Sequence, residues 1–116
     1  MEKVDKPWGF ELIWAHTDKY VGKILFIKAG EALSLQYHRV KDETIYLFSG
    51  EIDLLLEEEG ELKEHRVLPG DTYRILPGIK HRMIAVEDSE ILEASTHELD
   101  DVVRLEDRYM RGNKKS

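Results

Sequence analysis

Short apolar runs recur about every ten residues along this chain, and helical periodicity is nearly absent. The runs are "FELIWA", "YVGKILFIKAG", "LSLQYH", "TIYLFSG", "EIDLLLEE", "LKEHRVL", "TYRILPG", "HRMIAV" and "EILEAS". Turn-forming residues separate them, at Ala29-Gly30-Glu31, Ser49-Gly50-Glu51, Glu59-Gly60-Glu61, Pro69-Gly70-Asp71 and Pro77-Gly78. Many short strands punctuated in this way predict an all-β sandwich or barrel. "EIDLLLEEEGELKEHRVL" predicts a hairpin turning near Gly60. Only the stretch from about Asp100 to Met110 suggests a helical turn, or else an irregular segment.

The stretch "SLQYHRVKDETIYLFSG" carries the chemistry. Successive strand side chains point to opposite faces. Ser34, Gln36 and His38 therefore project together, away from Leu33, Leu35 and Tyr37. Glu43 opens the next run, so two neighbouring strands can aim three donors into one space. If that polar face looks into a barrel, the apolar face looks out, and a homodimer is the natural way to cover it.

Composition narrows the chemistry. A chain of 116 residues suits one domain, expected over 1–111, with 112–116 as a polar tail. No stretch approaches the ~18 consecutive apolar residues of a membrane span. The start "MEKVDKPWGF" lacks the pattern of a signal peptide, so a cytoplasmic location and no membrane partner are expected. The net charge is −7 and the pI about 5.2, which argues against nucleic acid as a partner. There is no cysteine, so any metal must be held by His, carboxylate or amide oxygen. Gln36 and Asn113 are the only side-chain amides, and Gln36 sits two residues from His38.

The spacing of this stretch and of "PGDTYRILPGIKHRMIA" is that of a known pair of motifs. After Gly30 come five residues, Gln36, one residue, His38, four residues, Glu43, six residues and Gly50. After Gly70 come five residues, Leu76, one residue, Gly78, two residues, His81, three residues and Ala85. The chain thereby resembles the cupin superfamily. Gln36 replaces the usual first His, Leu76 the usual Pro and Ala85 the usual Asn. "KPWGFE", the Gln-x-His pair and "ELDDVVRLEDRYMR" further resemble the cupin domain of type II phosphomannose isomerases. In that family this domain follows a nucleotidyltransferase domain, which has no counterpart in this sequence. The family's His-rich run after Gln-x-His is here "RVKDET".

The resemblance implies a double-stranded β-helix, or jelly-roll barrel, with a divalent metal held by Gln36, His38, Glu43 and His81. Zinc leads, and manganese, iron, cobalt or nickel suit the same donors. It also implies a small-molecule sugar phosphate as partner, with mannose-6-phosphate and fructose-6-phosphate interconverted by proton transfer between C2 and C1. Tyr46, Lys23 and His97 are the candidate bases. Arg104 leads for the phosphate, with Lys23 and Arg39 behind it and Arg108 and Arg111 read as surface ion pairs. Trp8 and Trp14 are read as packing residues, and His16 and His65 as surface residues. A stand-alone cupin that binds a sugar or other small ligand at the metal site without turnover is the alternative. An oxygen-using iron cupin is disfavoured by Gln36.

Overall fold

The structure is a computed structural model that describes residues 1–109; Met110, Arg111 and the expected tail 112–116 lie outside them. Eleven strands follow in order: β1 (Glu2–Lys6), β2 (Gly9–His16), β3 (Tyr20–Ile27), β4 (Leu35–Tyr37), β5 (Glu43–Ser49), β6 (Ile52–Glu58), β7 (Glu61–Val67), β8 (Thr72–Ile75), β9 (His81–Ala85), β10 (Ser89–Thr96) and β11 (Val103–Glu106). Nine of them coincide with the apolar runs. Among the described residues there is no helix, and so none long and apolar enough to cross a membrane.

The strands form two antiparallel sheets, ordered β1-β2-β3-β10-β5-β8 and β11-β4-β9-β6-β7. This is the double-sheet arrangement of a jelly roll. The hairpin at Gly60 is the expected one. Glu58 pairs with Glu61, and both loop residues, Glu59 and Gly60, have positive φ, as a type I′ turn requires.

The β1–β2 turn explains the glycine of "KPWG". Lys6 pairs with Gly9, whose φ is +152°. A Cβ at Gly9 would lie 1.9 Å from the carbonyl oxygen of Phe26, so only glycine lets β2 approach β3 here. Trp8, beside it, is buried in the core.

The core fills the half of the barrel away from the polar cavity described below. Leu25, Ile27, Ile45, Leu47 and Ile91 face inward from the larger sheet. Ile52, Leu54, Val67, Met83 and Ala85 meet them from the smaller one. Each buried aliphatic side chain of this size contributes roughly 1.5–3 kcal/mol relative to exposure.

Two expectations are corrected. The segment after Asp100 is a strand, β11, because it pairs with β4 through Val103↔Tyr37 and Arg104↔Gln36. Backbone pairing to a waiting edge outweighs a weak local helical tendency in a charged sequence. The outward apolar face expected on β4 is absent as well. Regular strand begins only at Leu35, Leu33 joins the core cluster, and Leu35 is buried within the chain.

Candidate metal centre

Three side chains converge where β4, β5 and β9 meet. Gln36 on β4 is directly opposite His81 on β9, and His38 follows the end of β4. Glu43 opens β5 on the facing sheet. Nε2 of His38 lies 2.9 Å from Oε1 of Glu43, and Nε2 of His81 lies 3.4 Å from the same oxygen. All three residues are buried.

The hydrogen bonds on the far side of each ring fix what the near side offers. Nδ1 of His38 is 2.5 Å from the carbonyl oxygen of Asp101, and Nδ1 of His81 is 3.0 Å from that of Ile79. A carbonyl only accepts, so each Nδ1 carries a proton and donates it. In the neutral imidazoles both Nε2 lone pairs then point at one carboxylate oxygen. Among the described residues, Nε2 of His81 has no hydrogen-bond partner despite being buried. Lone pairs aimed at one another in a buried space repel unless a cation lies between them. The donor atoms of His38, Glu43 and His81 all lie within 4.8 Å of one another, so one ion can touch all three. The donor set therefore fits a divalent metal with nitrogen and oxygen ligands.

Gln36 faces the same cavity, with its Oε1 accepting a hydrogen bond of 2.6 Å from the Ser34 hydroxyl. A carbonyl-type oxygen keeps a second lone pair, so Gln36 retains the capacity to act as a fourth donor.

The cavity beside this cluster has a volume of about 390 Å³. Its wall on the larger sheet is a ladder of alternating charge. Nζ of Lys41 is 3.7 Å from Glu43 and 3.1 Å from Glu93. Nζ of Lys23 is 3.7 Å from Glu93 and 3.3 Å from Glu11, which is in turn 3.9 Å from Lys6. Burial raises the Glu43 carboxyl, but the ammonium of Lys41 leads the groups that outweigh it and hold the carboxyl well below the usual carboxylate range. Burial lowers Lys41, yet Glu93 and Glu43 outweigh it and raise its pKa. Glu93 is raised, by burial first and then by Glu43, against Lys23 and Lys41.

Of the residues expected to act on substrate, Lys23 and Arg104 line this cavity. Tyr46 does not: it lies three residues from Glu43 on β5, on the opposite, outer face, and is exposed. His97 follows the end of β10, half exposed and 2.9 Å from Glu98, outside the cavity. Arg39 is exposed and also outside it. An odd number of residues along a strand reverses the face, which removes Tyr46. Arg108 donates to the carbonyl of Gly30 at 2.7 Å rather than reaching the cavity. Glu11, Lys41 and Glu93 escaped the sequence reading. Their signal was one charged residue at an inward position of β2 and of β10 and another in the loop before β5, and it is visible only once those segments are placed side by side.

Comparison with known proteins gives the same architecture. The family model described as "Cupin domain" matches residues 23–94. Mannose-1-phosphate guanylyltransferase ManC of Salmonella typhimurium (strain LT2) is 33% identical over 115 residues, covering 94% of this chain. This chain spans only 23% of that relative's length. Among solved structures, KdgF from Halomonas sp. superimposes with a TM-score of 0.72 at 23% identity, over 86% of this chain and 89% of that one. A variant of oxalate decarboxylase from B. subtilis gives 0.76 at 16% identity, over 90% of this chain and 30% of that one. At these identities the structural likeness speaks for the fold alone.

Proposed function

This chain belongs to the cupin domain family, and from that premise we propose that it is a metal-dependent sugar-phosphate isomerase interconverting mannose-6-phosphate and fructose-6-phosphate. The observation that carries the reading is the pair of Nδ1-anchored imidazoles aimed at Glu43, at the wall of a charged cavity of sugar size. The 33% identity to a mannose-phosphate enzyme supports the substrate class. His38, Glu43 and His81 would hold the ion, most simply zinc, with Gln36 as fourth donor. Once bound, it would supply Lewis acidity toward the sugar oxygens where negative charge develops.

The remaining work belongs to the cavity wall. Aldose–ketose exchange moves a proton from C2 to C1 and a hydroxyl proton from O2 to O1, so one base that returns its proton serves the transfer between the carbons. Lys23 remains from the sequence-derived candidates, and the carboxylates of Glu11 and Glu93 join it. Arg104, at the cavity wall on β11, provides the planar fork that suits a phosphate.

One observation favours a second reading. The cavity lining holds Glu2, Glu11, Glu43, Glu93 and Asp100 against Lys6, Lys23, Lys41 and Arg104. Such a balance suits an uncharged sugar as well as an anionic one, and so a binding cupin without turnover. Conversion of mannose-6-phosphate by zinc-loaded protein, abolished by chelator, is the outcome expected of the isomerase. Metal binding without turnover in the presence of zinc, manganese, cobalt or iron would leave the binding module. Gln36→Ala tests the fourth donor and is expected to bring bound metal toward background.

The homodimer is proposed on the larger sheet rather than on β4. Trp14, Tyr46, Phe48 and Leu92 are exposed there. A second copy laid on this face in an isologous contact would set the same apolar patch of each copy against that of the other.

A further inference from the structure

We propose that Asp101 is a positioning residue of the metal centre, joining the C-terminal segment to the two ligands His38 and Glu43. The proposal rests on the reading of His38, Glu43 and His81 as metal ligands. Asp101 is buried and lies 63 residues from His38 in sequence. It acts through both of its acceptor groups at once. Its backbone carbonyl accepts the Nδ1 proton of His38, which commits that ring to presenting Nε2 toward Glu43. Its carboxylate accepts the next three backbone N–H groups: Oδ1 from Arg39 at 3.0 Å, and Oδ2 from Val40 at 2.7 Å and Lys41 at 2.9 Å.

Those three residues belong to the loop that connects the two ligands. One aspartate thus sets the tautomer of His38 and the path of the chain from His38 to Glu43. Residues 38–42 lie between strands, since β4 ends at Tyr37 and β5 begins at Glu43. Backbone hydrogen bonds tie the two ends of this loop, from Gly78 to the His38 carbonyl and from Thr96 to the Asp42 carbonyl, leaving the N–H groups of 39–41 to Asp101. A charged acceptor is required for the full pattern. An amide offers one oxygen, and its NH₂ would face at least one backbone N–H donor. The same segment brings Leu99, Asp100, Val102 and Arg104 to the cavity wall, so its docking and the assembly of the ligand set are one event. Outer partners of this kind typically change metal affinity by roughly 10–100-fold when removed.

The test is Co²⁺ titration of the full chain, followed by visible absorption, for the wild type, His81→Ala, Asp101→Asn and Val67→Ala. Val67→Ala is a core truncation away from the centre and controls for simple loss of stability. We expect one ion on the wild type, none on His81→Ala, and roughly 10–100-fold weaker binding with an altered spectrum for Asp101→Asn. Val67→Ala should bind as the wild type does. Asp101→Asn binding with wild-type affinity would overturn the proposal, as would an equal weakening in Val67→Ala. No ion on the wild type would sink the metal reading itself, and the proposal with it. A second measurement needs no variant: ¹⁵N shifts of the metal-free wild type should show neutral His38 protonated at Nδ1. Protonation at Nε2 instead would also overturn the proposal.

Discussion

The two faces of the larger sheet invert the usual arrangement. On its outer side Leu12, Ile24, Leu92 and Tyr46 lie directly opposite one another across β2, β3, β10 and β5. Phe10 and Phe26 stack beside them with ring centroids 4.5 Å apart. One residue along, the inner side carries Lys23 opposite Glu93, with Glu11, Lys41 and Glu43 around them. Toward the other end of the barrel the inner side becomes Leu25, Ile45, Leu47 and Ile91. The core stabilises one half of the barrel, while the other half holds an open, polar cavity. Alternation along a strand therefore tells which residues share a face, and not which face is inside.

The strongest way to break this contrast is to remove one charge from the ladder. Lys41 neutralises two buried carboxylates, Glu43 and Glu93. Lys41→Met would leave them facing one another without it, and losing one partner of a buried ion pair costs about 3–5 kcal/mol. Urea unfolding of the metal-free protein measures this. A loss below about 1 kcal/mol would mean that the carboxylates simply take up protons, and that the ladder contributes little to the fold. Adding Glu93→Gln sharpens the point, because the double variant should recover part of the loss if the two groups are coupled.

The outer face should respond in the opposite way. Phe48 is 58% exposed, so Phe48→Ser should change unfolding free energy by no more than about 0.5 kcal/mol. Its effect belongs to association: light scattering should show the proposed dimer dissociating in the variant at concentrations where the wild type remains paired. A wild type that stays monomeric throughout would mean that this apolar face is covered by something other than a second copy.

The same inversion decides what the sequence could reveal. Nine strands announced themselves through apolar runs, and the buried group of His38, Glu43 and His81 through its spacing. The two strands that stayed hidden, β1 and β11, are edge strands rich in charge, "EKVDK" and "VRLE", and exist because a neighbour offers them hydrogen bonds. Tyr46 was a reasonable candidate by position in the chain, yet it stands one face away from the cavity. Lys41 and Glu93 were illegible for a related reason. Each is unremarkable in its own segment, and becomes a buried ion pair only when β10 is laid beside β5. Asp101 was hidden more deeply, because what matters there is a carbonyl and three amide protons rather than a residue type.

A local effect, small beside that of Lys41, is expected where neither face of the larger sheet is involved. Tyr109 closes the C-terminal segment against the loop before β4: its phenol donates to the Glu31 carboxylate and accepts the Ala32 N–H at 3.4 Å. Tyr109→Phe removes both hydrogen bonds, the second of them long, without creating a buried charge, and should cost about 1 kcal/mol, with metal binding unchanged. The bond also carries its own pH signature. Burial, and then the neighbouring Glu31, raises the phenol above its ordinary pKa of 10.0. A raised folded-state value means that its contribution is fully present below that ordinary pKa and is lost as the pH climbs through the folded one. The difference in stability between wild type and Tyr109→Phe should therefore be constant through neutral pH and shrink only under alkaline conditions, above about 10. A difference that already varies near neutrality would point to Glu31, rather than the phenol, as the group whose ionisation the contact reads. That would leave the contrast with Lys41 intact, since the ladder sets the like charges of Glu43 and Glu93 side by side out of reach of water.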